Sequence, residues 1–356
     1  MISSLVTNAT SLLHECATAY PLCTLALVYF SYLTSPFALL HLVPIVLIKL
    51  PAAVARTVLG FFCPSLFEKS VVDDVVYITG AASGIGRLLA FKFAEQGATV
   101  VLVDKDEAQL AKTRAEMLAI HDTKRVHAFA CDLAVREETY ETMHRAAHNA
   151  GPCTILINNA GIVTGKKLLE SPDELIELSF RVNSLAHFWT IKAALPAMLE
   201  ANRGHIVTVA SSAGLLGVPG LADYCASKFA AVGLDESLRL ELRKLHKTGV
   251  KTTCVCPLYI DTGMFEGAVA KFPRFAPFLS PEYAASKIVR AVRCNQQMLI
   301  MPFAAHLTPL LKGLLPSDVA ADIADWFGVL DSMDAFKGRA APSSASRAQA
   351  FPVGAQ

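Results

Sequence analysis

The sequence has few charged residues and no excess of either sign. Charged side chains make up 18% of its 356 residues, and 32 Lys and Arg oppose 31 Asp and Glu. Average soluble domains carry roughly 25% charged residues, so the chain is more apolar than an ordinary soluble domain. Its net charge of +1 creates no field that attracts nucleic acid. We therefore expect no nucleic-acid partner and look for chemistry on a small molecule.

The sequence also lacks any Cys-x-x-Cys pair, although it contains nine cysteines. Pairs of that kind are typical of structural zinc sites, and an even set of cysteines is typical of a disulfide framework. The odd, scattered set in this chain favours neither. We expect reduced thiols in the cytosol and no metal site.

Charged side chains are missing altogether from residues 16–48, a run of 33 residues. A helix needs only ~20 residues to cross the apolar core of a bilayer. Pro21, Pro36 and Pro44 interrupt a single helix within the run, because proline removes an amide donor and clashes with the preceding turn. Two forms of a membrane anchor stay open, one kinked span or a short hairpin in one leaflet. The segments on either side of Pro36 are nearer ~12–14 residues than ~20, which favours the hairpin.

A cleaved secretory signal and a buried core helix are the alternatives to an anchor. The first ten residues contain no Lys or Arg, whereas a secretory signal begins with a positively charged region. Core helices seldom run this long without a charge. Lys49 and Arg56 follow the uncharged run, so the positive-inside tendency predicts that the downstream chain lies in the cytosol. We predict an anchor and linker over residues 1–66.

Short runs rich in Val and Ile alternate with longer helical patterns from about residue 71 onward. Such runs suit strands that are buried on both faces of a sheet. The predicted strands are 75–79, 99–103, 126–130, 154–158, 205–209, 250–256 and 298–301. The predicted helices are 85–96, 108–120, 135–149, 173–200, 222–246 and 281–293. This alternation predicts an α/β fold with a Rossmann-type, doubly wound parallel sheet.

A glycine-rich turn joins the first predicted strand to the first predicted helix. It contains Gly80, Ser83, Gly84, Ile85 and Gly86. Glycine lets the backbone turn tightly and approach a pyrophosphate, and the amides and dipole of the helix start attract that anion. Because the turn lies between a strand and a helix, we predict a dinucleotide site there rather than an ordinary loop.

An aspartate ends the second predicted strand, 18 residues after the last glycine of the turn. At this position the carboxylate of Asp104 accepts hydrogen bonds from ribose hydroxyls and repels a 2′-phosphate. The sequence therefore predicts NAD as the cofactor. The adjacent Lys105 weakens the exclusion of a phosphate, which leaves NADP open.

Ser211, Tyr224 and Lys228 form the most informative polar group. Tyr224 and Lys228 are four residues apart on a predicted helix, so their side chains project from the same face. An ammonium beside a phenol favours the phenolate and lowers its pKa, which predicts that Tyr224 acts as general base for an alcohol or as acid for a carbonyl. Ser211 follows the strand 205–209, where its hydroxyl is placed to hold the substrate oxygen. The neighbouring Ser212 is the alternative for that role.

The motifs resemble those of the short-chain dehydrogenase/reductase family over roughly residues 73–303. They match in order and spacing and comprise Thr79-Gly80-x-x-x-Gly84-x-Gly86, Asn158-Asn159-Ala160-Gly161, Ser211 and Tyr224-x-x-x-Lys228. The resemblance implies that Asn183 orders a water for proton relay and that Lys228 also holds the nicotinamide ribose. It further implies a set of cofactor-binding residues: Asp132, Leu133, Asn159, Ala160, Gly161, Tyr224, Lys228, Pro257 and Thr262.

Further motifs resemble the membrane-anchored retinol dehydrogenase and 17-beta-hydroxysteroid dehydrogenase branch of that family. They are Asp223-Tyr224-Cys225-Ala226-Ser227-Lys228-Phe229, Asp261-Thr262-Gly263-Met264-Phe265 and Met333-Asp334-x-Phe336-x-Gly338-Arg339. This resemblance implies a lipophilic alcohol or ketone as substrate, retinol-like or hydroxysteroid-like. It also implies attachment to the endoplasmic reticulum or a lipid droplet, and a homodimer that pairs through the helices carrying Asn183 and Tyr224.

The chain departs from the family at one motif and leaves two other functions open. Pro257-Leu258 stands where the family commonly has Pro-Gly, which puts the local backbone path in question. The alternatives to an NAD-dependent dehydrogenase are an NADP-dependent carbonyl reductase and a catalytically idle nucleotide-binding scaffold. After the predicted anchor, we expect the dehydrogenase domain over 67–303, an apolar C-terminal extension over 304–339 and a flexible tail over 340–356.

Overall fold

The computed structural model describes residues 44–52, 54–55, 68–274 and 276–338. The chain divides into two units, Met1–Phe67 and Glu68–Gln356. In the first unit a π-helical turn spans Ile45–Lys49, and Val46, Leu47 and Ile48 on it are exposed. Most of the predicted anchor and all of the predicted tail 340–356 lie outside the described residues. Within the described part of the chain, no helix has the length and apolar character needed to cross a membrane.

Seven parallel strands form the centre of the second unit. They are β1 (Val75–Thr79), β2 (Thr99–Asp104), β3 (Val126–Ala130), β4 (Ile155–Asn158), β5 (Gly204–Val209), β6 (Val250–Pro257) and β7 (Met298–Met301). Their order in the sheet is β3-β2-β1-β4-β5-β6-β7, which confirms the predicted Rossmann-type topology. The order reverses between β1 and β4, and ligands of such sheets bind at the carboxyl ends of the strands beside that reversal.

In the described part of the second unit, nine α-helices cover the sheet and extend beyond it. They are α1 (Gly84–Glu95), α2 (Glu107–Leu118), α3 (Arg136–Ala150), α4 (Asp173–Phe180), α5 (Ala186–Ala201), α6 (Ala222–Lys244), α7 (Pro281–Arg293), α8 (Leu307–Leu314) and α9 (Ser317–Trp326). The start of α7 illustrates how sequence sets a helix boundary. The Ser280 hydroxyl accepts a hydrogen bond from the Tyr283 amide, and Pro281 occupies the first helical position, where its missing amide hydrogen costs nothing.

The core has two halves, one on each face of the sheet. Successive side chains of a strand point to opposite faces, so Ile78 of β1 packs with Leu89 and Phe93 of α1. Tyr77, its neighbour, packs on the opposite face with residues of α5 such as Ile191. All five side chains are buried. This double burial explains why the strands read as continuous apolar runs.

The predicted helix 173–200 contains one irregular turn in the structure. The chain is helical over the whole predicted stretch, and a π-helical turn, Arg181–Leu185, joins α4 to α5. A π-helical turn inserts an extra residue into the helical spiral and is frequent at functional sites. Here it carries Asn183, one of the predicted site residues.

Candidate active site

The glycine-rich turn between β1 and α1 is packed so closely that larger residues do not fit. Gly80 and Gly84 have φ values of 66° and 56°, in the left-handed region that favours glycine. A Cβ atom at Gly86 would overlap the carbonyl oxygen of Gly80. The first turn of α1 contains no acidic residue, so the positive end of the helix dipole is left for an external anion.

The segment after β4 supports this turn from the side. The Asn159 side-chain amide donates to the Thr79 carbonyl oxygen at 2.9 Å. The Thr79 hydroxyl accepts from the backbone amides of Asn159 and Ala160 at 2.9 and 3.0 Å. A Cβ atom at Gly80 would lie only 2.9 Å from the Ala160 Cα atom. The predicted residues Asn159–Gly161 therefore lie directly against the glycine turn, and Thr79 is a connecting residue that the sequence reasoning did not single out.

Asp104 lies at the same edge of the sheet, at the end of β2. Its Oδ2 atom accepts from the Ala82 amide at 2.9 Å, and its Oδ1 atom accepts from the Asp106 amide at 3.1 Å. Asp132 follows β3, where its Oδ1 atom accepts from the Ala134 amide at 2.9 Å. The Leu133 side chain packs into the core at this edge.

Three further predicted residues lie around the turn. Ser83 precedes the first residue of α1, and Ile85 packs against the core. The side chain of Thr262 lies 3.7 Å from the position of a Cβ atom at Gly84. The structure thus brings Thr262, from the segment after β6, against the glycine turn.

Ser211 and Tyr224 meet at a second point of this edge. Tyr224 lies in the first turn of α6, and its side chain and that of Ser211 line one small pocket. The Ser211 hydroxyl accepts from the Ala213 amide at 3.1 Å and donates to the Pro257 carbonyl at 3.4 Å. The structure brings Ser211 and Tyr224 together at one pocket, and Ser212 lines the same pocket.

Lys228 lies one helical turn after Tyr224 and is 3% exposed. Its Nζ atom donates to the Val209 carbonyl at 2.9 Å and lies 5.7 Å from the centroid of the Tyr224 ring. Burial lowers the pKa of Lys228 to about 8. Burial raises the pKa of Tyr224 above its ordinary value, and the nearby Ser211 hydroxyl acts in the opposite direction. Lys228 is not among the groups that shift the Tyr224 pKa here, so the predicted effect of the ammonium stays a prediction.

The side-chain amide of Asn183 links the segment after β4 to α6. Its Oδ1 atom accepts from the Ile162 amide at 2.8 Å, and its Nδ2 atom donates to the Ile162 carbonyl and to the Ser227 hydroxyl, both at 3.0 Å. A Cβ atom at Gly161 would lie 3.3 Å from Asn183 Oδ1 and 3.5 Å from Lys228 Nζ. Asn183, Gly161 and Lys228 therefore occupy one compact, buried position beside Tyr224.

An apolar cavity adjoins this polar cluster. Ser211 and Tyr224 line a pocket of about 60 Å³, and a larger cavity of about 210 Å³ lies next to it. The two share four wall residues, Leu216, Leu258, Tyr259 and Thr308. The remaining wall of the larger cavity is mostly apolar and comes largely from residues 269–276, α8 and α9. A molecule with one polar oxygen and a long apolar body matches this combination.

Comparison with known protein families identifies the chain. Residues 74–271 match the family model described as "short chain dehydrogenase". The chain belongs to the short-chain dehydrogenase family. Family membership makes it an NAD(P)-dependent oxidoreductase that acts on alcohols.

Several curated relatives are similar over most of their length. The chain is 46% identical to the short-chain dehydrogenase/reductase family 16C member 6 of Bos taurus over 285 residues, which is 78% of this chain and 90% of the relative. It is 48% identical to human epidermal retinol dehydrogenase 2 over 269 residues, covering 76% and 87%. It is 42% identical to human retinol dehydrogenase 10 over 286 residues, covering 73% and 84%.

A solved short-chain dehydrogenase/reductase from Burkholderia phymatum, in complex with NAD, shares the fold. The TM-score is 0.63 at 28% sequence identity, covering 71% of this chain and 96% of that one. The side chains of this short-chain dehydrogenase fit the same cofactor, because the glycine turn has no room for a Cβ atom at Gly86 and Asp104 supplies a carboxylate beside it. These residues fit a pyrophosphate and a ribose, respectively.

The Leu258 position of this short-chain dehydrogenase adopts an ordinary backbone conformation. Among the described non-glycine residues, only Asn202, His246 and Asn295 have positive φ values, so no glycine is needed after Pro257. Leu258 donates its amide to the Met301 carbonyl at 2.7 Å and contributes a wall to both cavities. Sequence reasoning missed Leu258, Tyr259 and Thr308 as pocket residues. For Leu258 the sequence did offer a signal, because leucine stands there in place of the glycine that is common in the family.

Proposed function

We propose that the protein is an NAD-dependent dehydrogenase that oxidises the alcohol group of a lipophilic molecule, retinol-like or hydroxysteroid-like. The observation that carries the proposal is the apolar cavity that shares walls with the Ser211 and Tyr224 pocket. Its size and apolar lining favour a hydrocarbon body, while Ser211 and Tyr224 supply the polar end. Two relatives are named retinol dehydrogenase 10 and epidermal retinol dehydrogenase 2, and their names support a lipophilic alcohol as substrate.

The chain's own residues orient the alcohol and move its proton. Ser211 and Tyr224 hold the alcohol oxygen, and Tyr224, in its phenolate form, takes the hydroxyl proton as general base. Lys228 holds the nicotinamide ribose and fixes the end of β5 through Val209. Asn183 positions the segment after β4 and the start of α6. Bound NAD supplies the acceptor for the hydride that leaves the alcohol carbon.

The dinucleotide is held along the carboxyl edge of the sheet in this proposal. The glycine turn binds the pyrophosphate, Asp104 the adenosine ribose and Asp132 the adenine side. The full set of proposed cofactor-binding residues is Gly80, Ser83, Gly84, Ile85, Gly86, Asp104, Asp132, Leu133, Asn159, Ala160, Gly161, Tyr224, Lys228, Pro257 and Thr262.

Replacing Asp104 with asparagine tests the choice between NAD and NADP. Asp104→Asn keeps an acceptor for the Ala82 amide but removes the charge that repels a 2′-phosphate. We expect the affinity for NAD to fall by about tenfold, the worth of one charge-assisted hydrogen bond, and the affinity for NADP to stay level or rise. Fluorescence titration with both dinucleotides measures this. Asp106→Asn is the matched control, because Asp106 caps α2 through the Gln109 amide; equal losses of both dinucleotides in Asp104→Asn would remove the assignment.

A substrate panel tests the proposed reaction. The full chain, solubilised in detergent, is assayed with retinol, hydroxysteroids and long-chain alcohols, each with NAD and with NADP. We expect turnover with at least one of the lipophilic alcohols and a preference for NAD. Turnover only of a ketone or aldehyde with reduced NADP would instead support the carbonyl reductase. Dinucleotide binding without any turnover would support the idle scaffold.

We also propose that the protein is a homodimer on the surface of the endoplasmic reticulum or a lipid droplet, with its catalytic part in the cytosol. The uncharged run over residues 16–48 supports attachment. So do exposed apolar residues at and before α8, namely Phe303, Leu307, Leu310 and Leu314.

Leu185 and Phe188 expose apolar surface at the start of α5, which supports a homodimer that pairs through the helices carrying Asn183 and Tyr224. Protease digestion of the catalytic part in sealed microsomes tests the topology, and light scattering in detergent tests the dimer.

A further inference from the structure

The chain after α9 crosses back over the candidate active site. We call residues 332–338 the strap. The Val269 amide donates to the Ser332 carbonyl at 2.9 Å. At the other end of the strap, the amides of Lys337 and Gly338 both donate to the Glu266 carbonyl, at 2.8 and 3.2 Å. The strap is therefore fastened at both ends to the segment that follows β6.

Two loops beside the site have glycine where the strap approaches them. A Cβ atom at Gly165, in the segment after β4, would overlap the ring of Phe336. A Cβ atom at Gly267, after β6, would overlap the Ala335 carbonyl oxygen. A third glycine, Gly220 after β5, would bring its Cβ atom within 3.4 Å of the Met333 Cβ. Segments from three consecutive strands thus leave room for the strap.

The strap side chains pack behind the aromatic wall of the substrate pocket. Met333 and Phe336 belong to one apolar cluster with Tyr224, Tyr259 and Phe265. The Tyr259 hydroxyl donates to the Ser332 hydroxyl at 3.2 Å. The Phe265 ring lies edge-on to Tyr224 and to Tyr259, with centroids 5.8 and 5.2 Å apart.

Two of these aromatic residues, Tyr259 and Phe265, line the pocket that contains Ser211 and Tyr224. Met333 and Phe336 stand behind them and do not themselves line that pocket. Ser332 of the strap itself lines the larger cavity, and Met333 and Phe336 pack with Tyr259 and Phe265 in one apolar cluster.

We propose that the strap is a positioning element that holds Tyr259 and Phe265 against Tyr224 and thereby sets the affinity for the alcohol. The proposal rests on the proposed function, since it assigns the alcohol to the Tyr224 pocket. It also gives a role to the Met333-Asp334-x-Phe336 motif, which the sequence resemblance left without one. Phe336 is the central contact, because its ring fills the space that Gly165 leaves open.

Phe336→Ala and Gly165→Ala test the strap from both sides of one contact. We expect each to raise the KM for the alcohol by about tenfold, the effect of losing one well-packed aromatic contact, with kcat changed less than threefold and NAD affinity unchanged. Phe336→Leu should restore most of the alcohol affinity. In the Phe336→Ala background, Gly165→Ala should cost much less than it does alone, because the overlapping ring is gone.

Gly151→Ala is the matched control for backbone strain. Gly151 has a φ of 95°, and a Cβ atom there meets only Val75 at 3.8 Å, so it strains the backbone far from the strap. If Phe336→Ala raises the alcohol KM no more than Gly151→Ala does, the proposal is overturned. Parallel loss of alcohol and NAD affinity, or additive effects of Gly165→Ala and Phe336→Ala, would also overturn it.

Hydrogen exchange separates failure of the strap from failure of the proposed reaction. Phe336→Ala should speed amide exchange in residues 162–166 and 263–270 severalfold while leaving β1 and α1 unchanged. This readout needs no substrate, so it tests the strap even if no alcohol in the panel is turned over. Unchanged exchange in both segments would overturn the proposal whatever the activity.

Discussion

Tyr224→Phe should lower kcat for alcohol oxidation by about a thousandfold, the typical contribution of a positioned general base, and leave NAD affinity within about twofold. The change removes one oxygen, the phenolic hydroxyl in the pocket that Tyr224 shares with Ser211. The ring keeps its edge contact with Phe265, so the pocket retains its shape. Stopped-flow or steady-state formation of reduced NAD measures turnover, and fluorescence titration measures binding.

The pH profile of the unaltered protein gives a second readout of the same group. Burial raises the pKa of Tyr224, so the phenol holds its proton more tightly than a free tyrosine does. Because oxidation needs Tyr224 to accept a proton from the alcohol, we expect the oxidation rate to rise toward alkaline pH. Carbonyl reduction needs the protonated phenol, so we expect the reduction rate to fall toward alkaline pH.

Tyr77→Phe is the matched control for losing a buried phenolic hydroxyl. Tyr77 is buried in β1, and its hydroxyl donates to the Gly151 carbonyl at 3.0 Å, away from the site. We expect this variant to lose some stability and keep its turnover. Residual activity above about a tenth in Tyr224→Phe, or a comparable loss in Tyr77→Phe, would refute the role of Tyr224.

Local sequence signals predicted the scaffold of the site well. The central strands β1, β2 and β4 are nearly continuous apolar runs because both faces are buried, and each ends in a polar residue, Thr79, Asp104 or Asn158. Gly80 and Asp104 lie at such ends, so their positions at one edge of the sheet follow from parallel pairing alone. The spacing of Tyr224 and Lys228 likewise needed only the helical repeat.

Contacts between distant segments escaped the same reasoning. Glycine is needed at position 165 because the Phe336 ring lies against it. These two residues are far apart in sequence and come into contact only in the folded chain. The π-helical turn at Asn183 adds a residue that a regular helical period does not anticipate. The direction of the Tyr224 pKa depends on how many neighbours exclude water from the phenol, which spacing along one helix does not report.

Lys228→Met should lower turnover by about a hundredfold or more and at the same time stabilise the folded protein at pH 7. Burial lowers the pKa of Lys228 from 10.5 to about 8, so at pH 7 the folded chain keeps a buried ammonium that donates to the Val209 carbonyl. Methionine has a side chain of similar length and carries no charge that burial would desolvate. We expect a gain of about 2 kcal/mol at pH 7, the desolvation relieved less the hydrogen bond lost.

The sign of this stability difference should depend on pH. Between pH 8 and 10.5 the unfolded lysine binds more protons than the folded one, so the stability of the unaltered protein rises with pH across that window. Lys228→Met lacks this rise, so its advantage should shrink and reverse in sign within that window. Urea unfolding at pH 7 and pH 10, without added dinucleotide, measures the stability difference at both pH values.

Lys69→Met is the matched control. Burial also lowers the pKa of Lys69, but Lys69 contacts His205 outside the site, so the variant should keep its turnover. A destabilised Lys228→Met at pH 7, or one that keeps its turnover, would contradict the assignment of a buried, functional ammonium beside Tyr224.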